Sequence, residues 1–217
     1  MRMNKWCAAM AVAAAALPGA ALADPMSYAF VQLNGILDAE VEPEGITSAD
    51  GDGLGIEAGW IFGPYVFTDL RFNDYDMGAT EGEETSIRLG VRSRMNTSWP
   101  RLDLYGMISY EDIKFDTIVR SFGSGVLFPL ELIDDNGVGL HAGARFSPIN
   151  WFELLGEVAY IDVGKVDGEF LTAGVQVNTA SWFALNLRYR TGEYSGTGRD
   201  LELDSLIFGV RVQWGGG

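Results

Sequence analysis

The sequence has almost no cysteine or histidine, little basic charge and, past its first two dozen residues, no long apolar run. Each shortage excludes something. The single cysteine, Cys7, cannot form an intramolecular disulfide or a multi-thiolate zinc site, and the lone histidine, His141, cannot build a histidine-rich metal cluster. With 15 Lys and Arg against 30 Asp and Glu, the formal net charge of −15 argues against nucleic acid as a partner, because that binding needs cations to displace condensed counterions. Beyond Ala23 no stretch approaches the roughly 18 consecutive apolar residues of a membrane helix, so a crossing of a bilayer there must use strands. No phosphate-binding glycine loop is present. Asp50-Gly51-Asp52-Gly53 has the opening of a calcium loop, but the later spacing does not complete an EF-hand. No cofactor or metal is expected.

What is present begins with a segment unlike the rest. Arg2 and Lys5 precede an Ala-rich apolar run from Cys7 to Leu17, and Ala21-Leu22-Ala23 supplies small residues before Asp24, the pattern of a secretory signal peptide. The run is too short to span a hydrocarbon layer of about 30 Å and is broken by Pro18 and Gly19. A lipid-anchored form would need a cysteine at the end of that run, whereas Cys7 stands at its beginning. The expectation is a cleaved signal over residues 1–23 and one domain over 24–217, free of cysteine.

The remainder shows segments of about ten residues that alternate apolar and polar with period two, which is the strand period. In 182–192, Phe183, Leu185, Leu187 and Tyr189 alternate with Ala184, Asn186, Arg188 and Arg190; 85–94 and 205–214 repeat the pattern. The predicted strands cover 27–37, 54–61, 65–73, 85–94, 101–111, 137–147, 151–162, 169–178, 182–192 and 205–214. Aromatics gather near their ends, among them Trp60, Tyr65, Trp99, Trp151, Trp182 and Trp214, where an interfacial girdle would need them. Short connections at 62–64, 95–100, 148–150 and 179–181 alternate with longer acidic ones at 38–53, 74–84, 112–136 and 193–204; 163–168 is a brief exception in the outer set. Within 112–136, two further apolar runs flank Gly123-Ser124-Gly125 and leave a twelve-strand count open, as an eight-strand count also is. Pro129, which cannot donate to a ladder, favours a long hairpin or partly helical loop there instead. The fold class expected is all-β: a transmembrane antiparallel up-and-down β-barrel of about ten strands.

On these features the sequence resembles the small outer-membrane β-barrel proteins of Gram-negative bacteria. The resemblance implies a location in the outer membrane, contact with outer-membrane lipid and lipopolysaccharide, and insertion by barrel-assembly machinery. Gly209, Val212 and Trp214 fit the family's terminal insertion signal, although Ile207 replaces the usual polar residue and three glycines follow the aromatic.

Strand parity places Glu57, Asp69, Arg71, Arg88, Arg92, Arg94, Asp103, Glu111, Arg145, Glu153, Glu157, Arg188, Arg190 and Arg211 in the lumen. An unpaired arginine facing mid-membrane lipid would cost about 2–4 kcal/mol, which is a physical reason for this sorting. Three functions follow in order of expectation. The first is a structural or surface-interaction barrel whose narrow lumen is filled by ion pairs. The second is a narrow, porin-like channel with charged rings. The third is a hydrolase or acyltransferase at the rim, since parity brings His141 beside Ser109 and Glu111; a lone inward histidine is more often a hydrogen-bonded filler, so an enzyme is not expected.

Overall fold

The computed structural model describes residues 26–43, 48–95, 99–120, 127–196 and 200–214. The expected cleavage point after Ala23 lies outside them. Ten antiparallel strands close into a barrel: β1 (Phe30–Pro43), β2 (Ala49–Phe62), β3 (Val66–Met77), β4 (Thr80–Arg94), β5 (Arg101–Arg120), β6 (Leu127–Ile149), β7 (Phe152–Val163), β8 (Val166–Ala180), β9 (Phe183–Gly196) and β10 (Leu201–Gln213). Each strand pairs with its neighbour in sequence, and β1 closes on β10. No helix lies among the described residues. The fold is the up-and-down barrel that the alternation predicts, and its ten strands exclude the eight- and twelve-strand alternatives.

Most strands are longer than expected, chiefly at the end away from the termini. Much of each expected acidic loop is ladder instead: 38–43 and 49–53 extend β1 and β2, and 74–77 and 80–84 extend β3 and β4. The 74–84 connection shrinks to Gly78 and Ala79, a tight turn in which Gly78 takes φ +68°, a left-handed value that a side chain disfavours. Around 112–136 the long hairpin alternative holds, and Pro129 lies inside β6 opposite Ile118. Pairing of β6 with β7 begins only at Gly137, so at Pro129 the strand is an edge, where a missing N–H is tolerated. At the other end, β1 starts at Phe30 rather than at residue 27, and β10 stops at Gln213, one residue before Trp214.

A hydrocarbon layer needs about 9–11 tilted residues per strand, so the 20 residues of β5 and 23 of β6 reach well beyond it. The two sections of the barrel have opposite polarity. In the section nearer the termini, outward positions are apolar and exposed, such as Leu33, Leu70, Leu89, Ile108, Leu140 and Val158, while inward positions are polar. In the far section, Asp50, Asp76, Glu81, Asp112, Asp162 and Glu202 face outward, and Ile36, Val41, Tyr75, Ile113, Phe115, Ile161, Phe170, Tyr194 and Leu203 pack into a buried apolar core inside. The switch happens within single strands: Tyr110 points out and Glu111 in, then Asp112 points out and Ile113 in. On β1 the register shifts after Ile36, so Leu37 and Asp38 both face outward. That bulge resets which residues face the core.

The outward aromatics form two tiers. Trp60, Phe62, Tyr65, Trp151 and Trp182 stand exposed at the short-turn end, and Tyr110, Tyr160 and Tyr189 stand just below the acidic section. Such rings favour the headgroup level at both faces of a bilayer.

Candidate functional site: the lumen of the barrel

Inward residues on neighbouring strands sit about 4.5–5.5 Å apart, so a charged residue repeated at every second position meets its counterpart across a ladder. The middle of the lumen shows this. Arg88 on β4 pairs with Asp69 on β3, stands 3.5 Å from Glu57 and 3.7 Å from Glu157, and is almost fully buried. Glu57 also takes Arg188 at 2.8 Å and Arg71 at 3.8 Å. Isolated in low dielectric, each of these charges would cost several kcal/mol, and only mutual pairing makes their burial tolerable.

Above this level, toward the apolar core, Arg190 donates to Glu84 at 2.6 Å. Glu84 also accepts from the Tyr75 hydroxyl at 2.8 Å and the Tyr194 hydroxyl at 3.0 Å. The two tyrosine rings belong to the apolar core, so Glu84 joins the polar and apolar halves of the interior. Glu84 was missed by sequence reasoning, though its parity with Ser86 and Arg88 was a signal that could have found it. Beside it, Ser109 Oγ lies 2.9 Å from His141 Nε2, and His141 Nδ1 lies 3.4 Å from Glu157. Glu111 approaches the same imidazole at 3.4 Å and accepts from Ser86 at 2.9 Å.

Below the middle, the segment just before β1 lies in the lumen. Met26, Ser27, Tyr28 and Ala29 are buried inside the barrel mouth. The Tyr28 ring packs on Phe67 and Tyr105 with centroids at 4.4 and 6.3 Å, and the guanidiniums of Arg92 and Arg145 lie 4.7 and 4.5 Å from its centroid. Arg145 holds Glu153 in a two-point pair at 2.5 and 3.1 Å, and Arg92 and Arg94 both reach Asp103 at 3.3 Å. Arg211 donates to the Ser27 carbonyl at 2.6 Å.

All fourteen charged residues that parity assigned to the lumen face the interior, with Arg94 at the half-exposed mouth. The three residues of the terminal pattern lie apart from them. Gly209 pairs with Asn34 and Asn186, and Val212 faces outward. The Trp214 ring is buried at an edge-to-face distance of 6.1 Å from Trp60, while the backbone N–H of Trp214 donates to the Ala29 carbonyl and its backbone carbonyl accepts from the Ser27 hydroxyl. No cluster of three or more potential metal ligands is found among the described residues.

A barrel that is greasy outside and charged inside, with aromatic tiers at both edges of the greasy band, suits a bilayer and not water. The model of the outer membrane protein beta-barrel domain family matches residues 6–178. The chain belongs to that family. Its place is the outer membrane, which sets the greasy section in hydrocarbon and, by the rule that short turns face the periplasm, puts the acidic section outside the cell. No curated protein matches the chain in sequence. Among solved structures, it is similar to Neisserial surface protein A (17% identity, TM-score 0.43, covering 87% of this chain and 98% of that one). It is also similar to Ail, the attachment invasion locus protein of Yersinia pestis (12%, 0.37, 85% and 99%). A third is the outer membrane protease OmpT of Escherichia coli (11%, 0.44, 88% and 100%).

Proposed function

We propose that this outer-membrane barrel is a sealed structural or surface-interaction protein. It works through its acidic outer section and passes no solute through its lumen. The observation that carries the reading is closure at three successive levels: the apolar core at the outer end, the Arg88-centred ion pairs in the middle, and Met26–Ala29 with the Tyr28 stack at the periplasmic mouth. A conducting path would have to break all three. The partners in this reading are lipid around the greasy band, lipopolysaccharide at the outer edge, and insertion machinery that reads Gly209, Val212 and Trp214.

Ser109 and His141 belong to the packing of this interior. Their spacing suits proton transfer, but both are buried beneath the apolar core, and this reading makes them part of its packing. Planar-bilayer recording tests the proposal. Pure refolded protein is expected to give no steady conductance, and reproducible discrete openings would replace this reading with the narrow channel.

A further inference from the structure

The lower lumen holds a partly open cavity of about 70 Å³, whose lining carries five arginines against four carboxylates. About one water-sized sphere needs 10–15 Å³ on this measure, so the space admits a small guest and not a sugar or nucleotide. The excess cation is Arg211. Every other arginine on the lining has a carboxylate oxygen within 4.0 Å: Arg71 and Arg188 reach Glu57, Arg88 reaches Asp69, and Arg145 reaches Glu153. Arg211, only 7% exposed, has the Ser27 carbonyl at 2.6 Å, the Gln176 side-chain oxygen at 3.4 Å and the Phe30 ring at 3.5 Å, all without formal charge. Glu153, the carboxylate that could compensate it, is bound at both oxygens by Arg145.

The hydrogen bonding is unbalanced in the same direction. Among the residues of this lining, the Tyr28 hydroxyl and the Nε groups of Arg71, Arg88, Arg188 and Arg211 are buried without an acceptor among the described residues. The one acceptor on the lining in the same condition, Glu57 Oε2, stands 2.8 Å from Arg188. A water placed beside Arg211 would accept at most two hydrogen bonds and bring two more hydrogens that need partners. A monovalent anion accepts several bonds, brings no hydrogen, and cancels the surplus charge.

We infer that the lower lumen is a binding site for one small monovalent inorganic anion of halide size, held against the Arg211 guanidinium. Chloride, at hand in water, fits that chemistry. The anion would serve as a structural counter-ion rather than a transported solute.

The test is to fold and crystallise the full mature chain in sodium bromide and measure anomalous diffraction at the bromine edge. The inference expects a peak in the cavity within contact distance of the Arg211 guanidinium, and expects it to vanish in Arg211→Gln. A lower lumen holding only water in the wild-type protein under bromide would overturn it. Should Arg211→Gln fail to fold, the wild-type peak still decides. A second readout is thermal: the wild type is expected to melt several degrees higher in chloride than in gluconate at equal ionic strength, in the manner of any ligand bound only to the folded state. Equal melting in the two salts would also count against the site.

Discussion

The Tyr28 ring lies with its centroid 4.5 Å from the Arg145 guanidinium, and the same guanidinium donates to the carbonyls of Met26 and Ser27. A residue just before the first strand is therefore clamped by one on the sixth, across the lumen. The contact ties closure of the periplasmic mouth to completion of the barrel wall.

Tyr28→Ala removes a buried ring that touches Phe67 and Tyr105 and faces two guanidiniums. It is expected to cost about 3–5 kcal/mol, the usual range for truncating a buried aromatic, with some of that from lost cation–π contact. Urea unfolding in lipid vesicles measures it. The variant should still not conduct, because the outer apolar core remains in place.

Arg190 and Glu84 supply a test of the ion-pair account. Arg190→Met leaves Glu84 buried with only tyrosine and asparagine donors and is expected to destabilise by about 3–5 kcal/mol. Adding Glu84→Gln to that variant should recover a good part of the loss. A double-mutant cycle reads the coupling, and simple additivity would show that the pair is not acting as one.

The reversal of polarity along a strand predicts a reversal of tolerance. Leu89 faces outward in the greasy band with 51% of its surface exposed, and Glu83 faces outward on the same strand in the acidic section. Leu89→Arg should cost about 2–4 kcal/mol and Glu83→Arg about 0–1 kcal/mol in the same unfolding assay. Equal costs would mean that the edge of the hydrocarbon lies elsewhere.

Ser109 and His141 are close enough to invite a catalytic reading, so their burial has a chemical consequence. A fluorophosphonate probe should leave the folded protein unlabelled. Covalent capture at Ser109, abolished by His141→Gln, would make the pair an active site.

The sequence made the membrane section legible because its outward face must be apolar without interruption, and period-two alternation such as Phe183, Leu185, Leu187, Tyr189 reports that directly. It hid the outer section because the same alternation continues there with its phase reversed. Leu70 and Phe72 face out, then Tyr75 and Met77 face in, with Asn73 and Asp74 between them. To a reader following one phase, the acidic residues Asp74 and Asp76 mark a loop; once the phase shifts, they are the wet face of a continuing strand. Lys114 illustrates the point: it sits on that wet face between Asp116 at 3.4 Å and Asp134 at 3.6 Å, and Asp116 above all raises its pKa over the ordinary lysine value. The inward charges could be assigned from parity alone, but their partners could not. The pairing of Arg190 with Glu84 spans 106 positions, and only closure of the barrel brings the two together.

Closure of the lumen is the claim on which the functional reading depends, and cysteine accessibility tests it most directly. In the chain from Asp24 onward, Cys7 is gone and single cysteines can be placed at will. Ser109→Cys and Thr172→Cys sit inside the barrel, and Asp50→Cys on its wet outer face serves as the reference. A small charged methanethiosulfonate reagent is expected to modify the reference site rapidly and to leave both lumenal sites unmodified until urea unfolds the barrel. Modification of either lumenal cysteine in folded protein at a rate near that of the reference would mean that water and small solutes pass through, and the sealed barrel would be wrong.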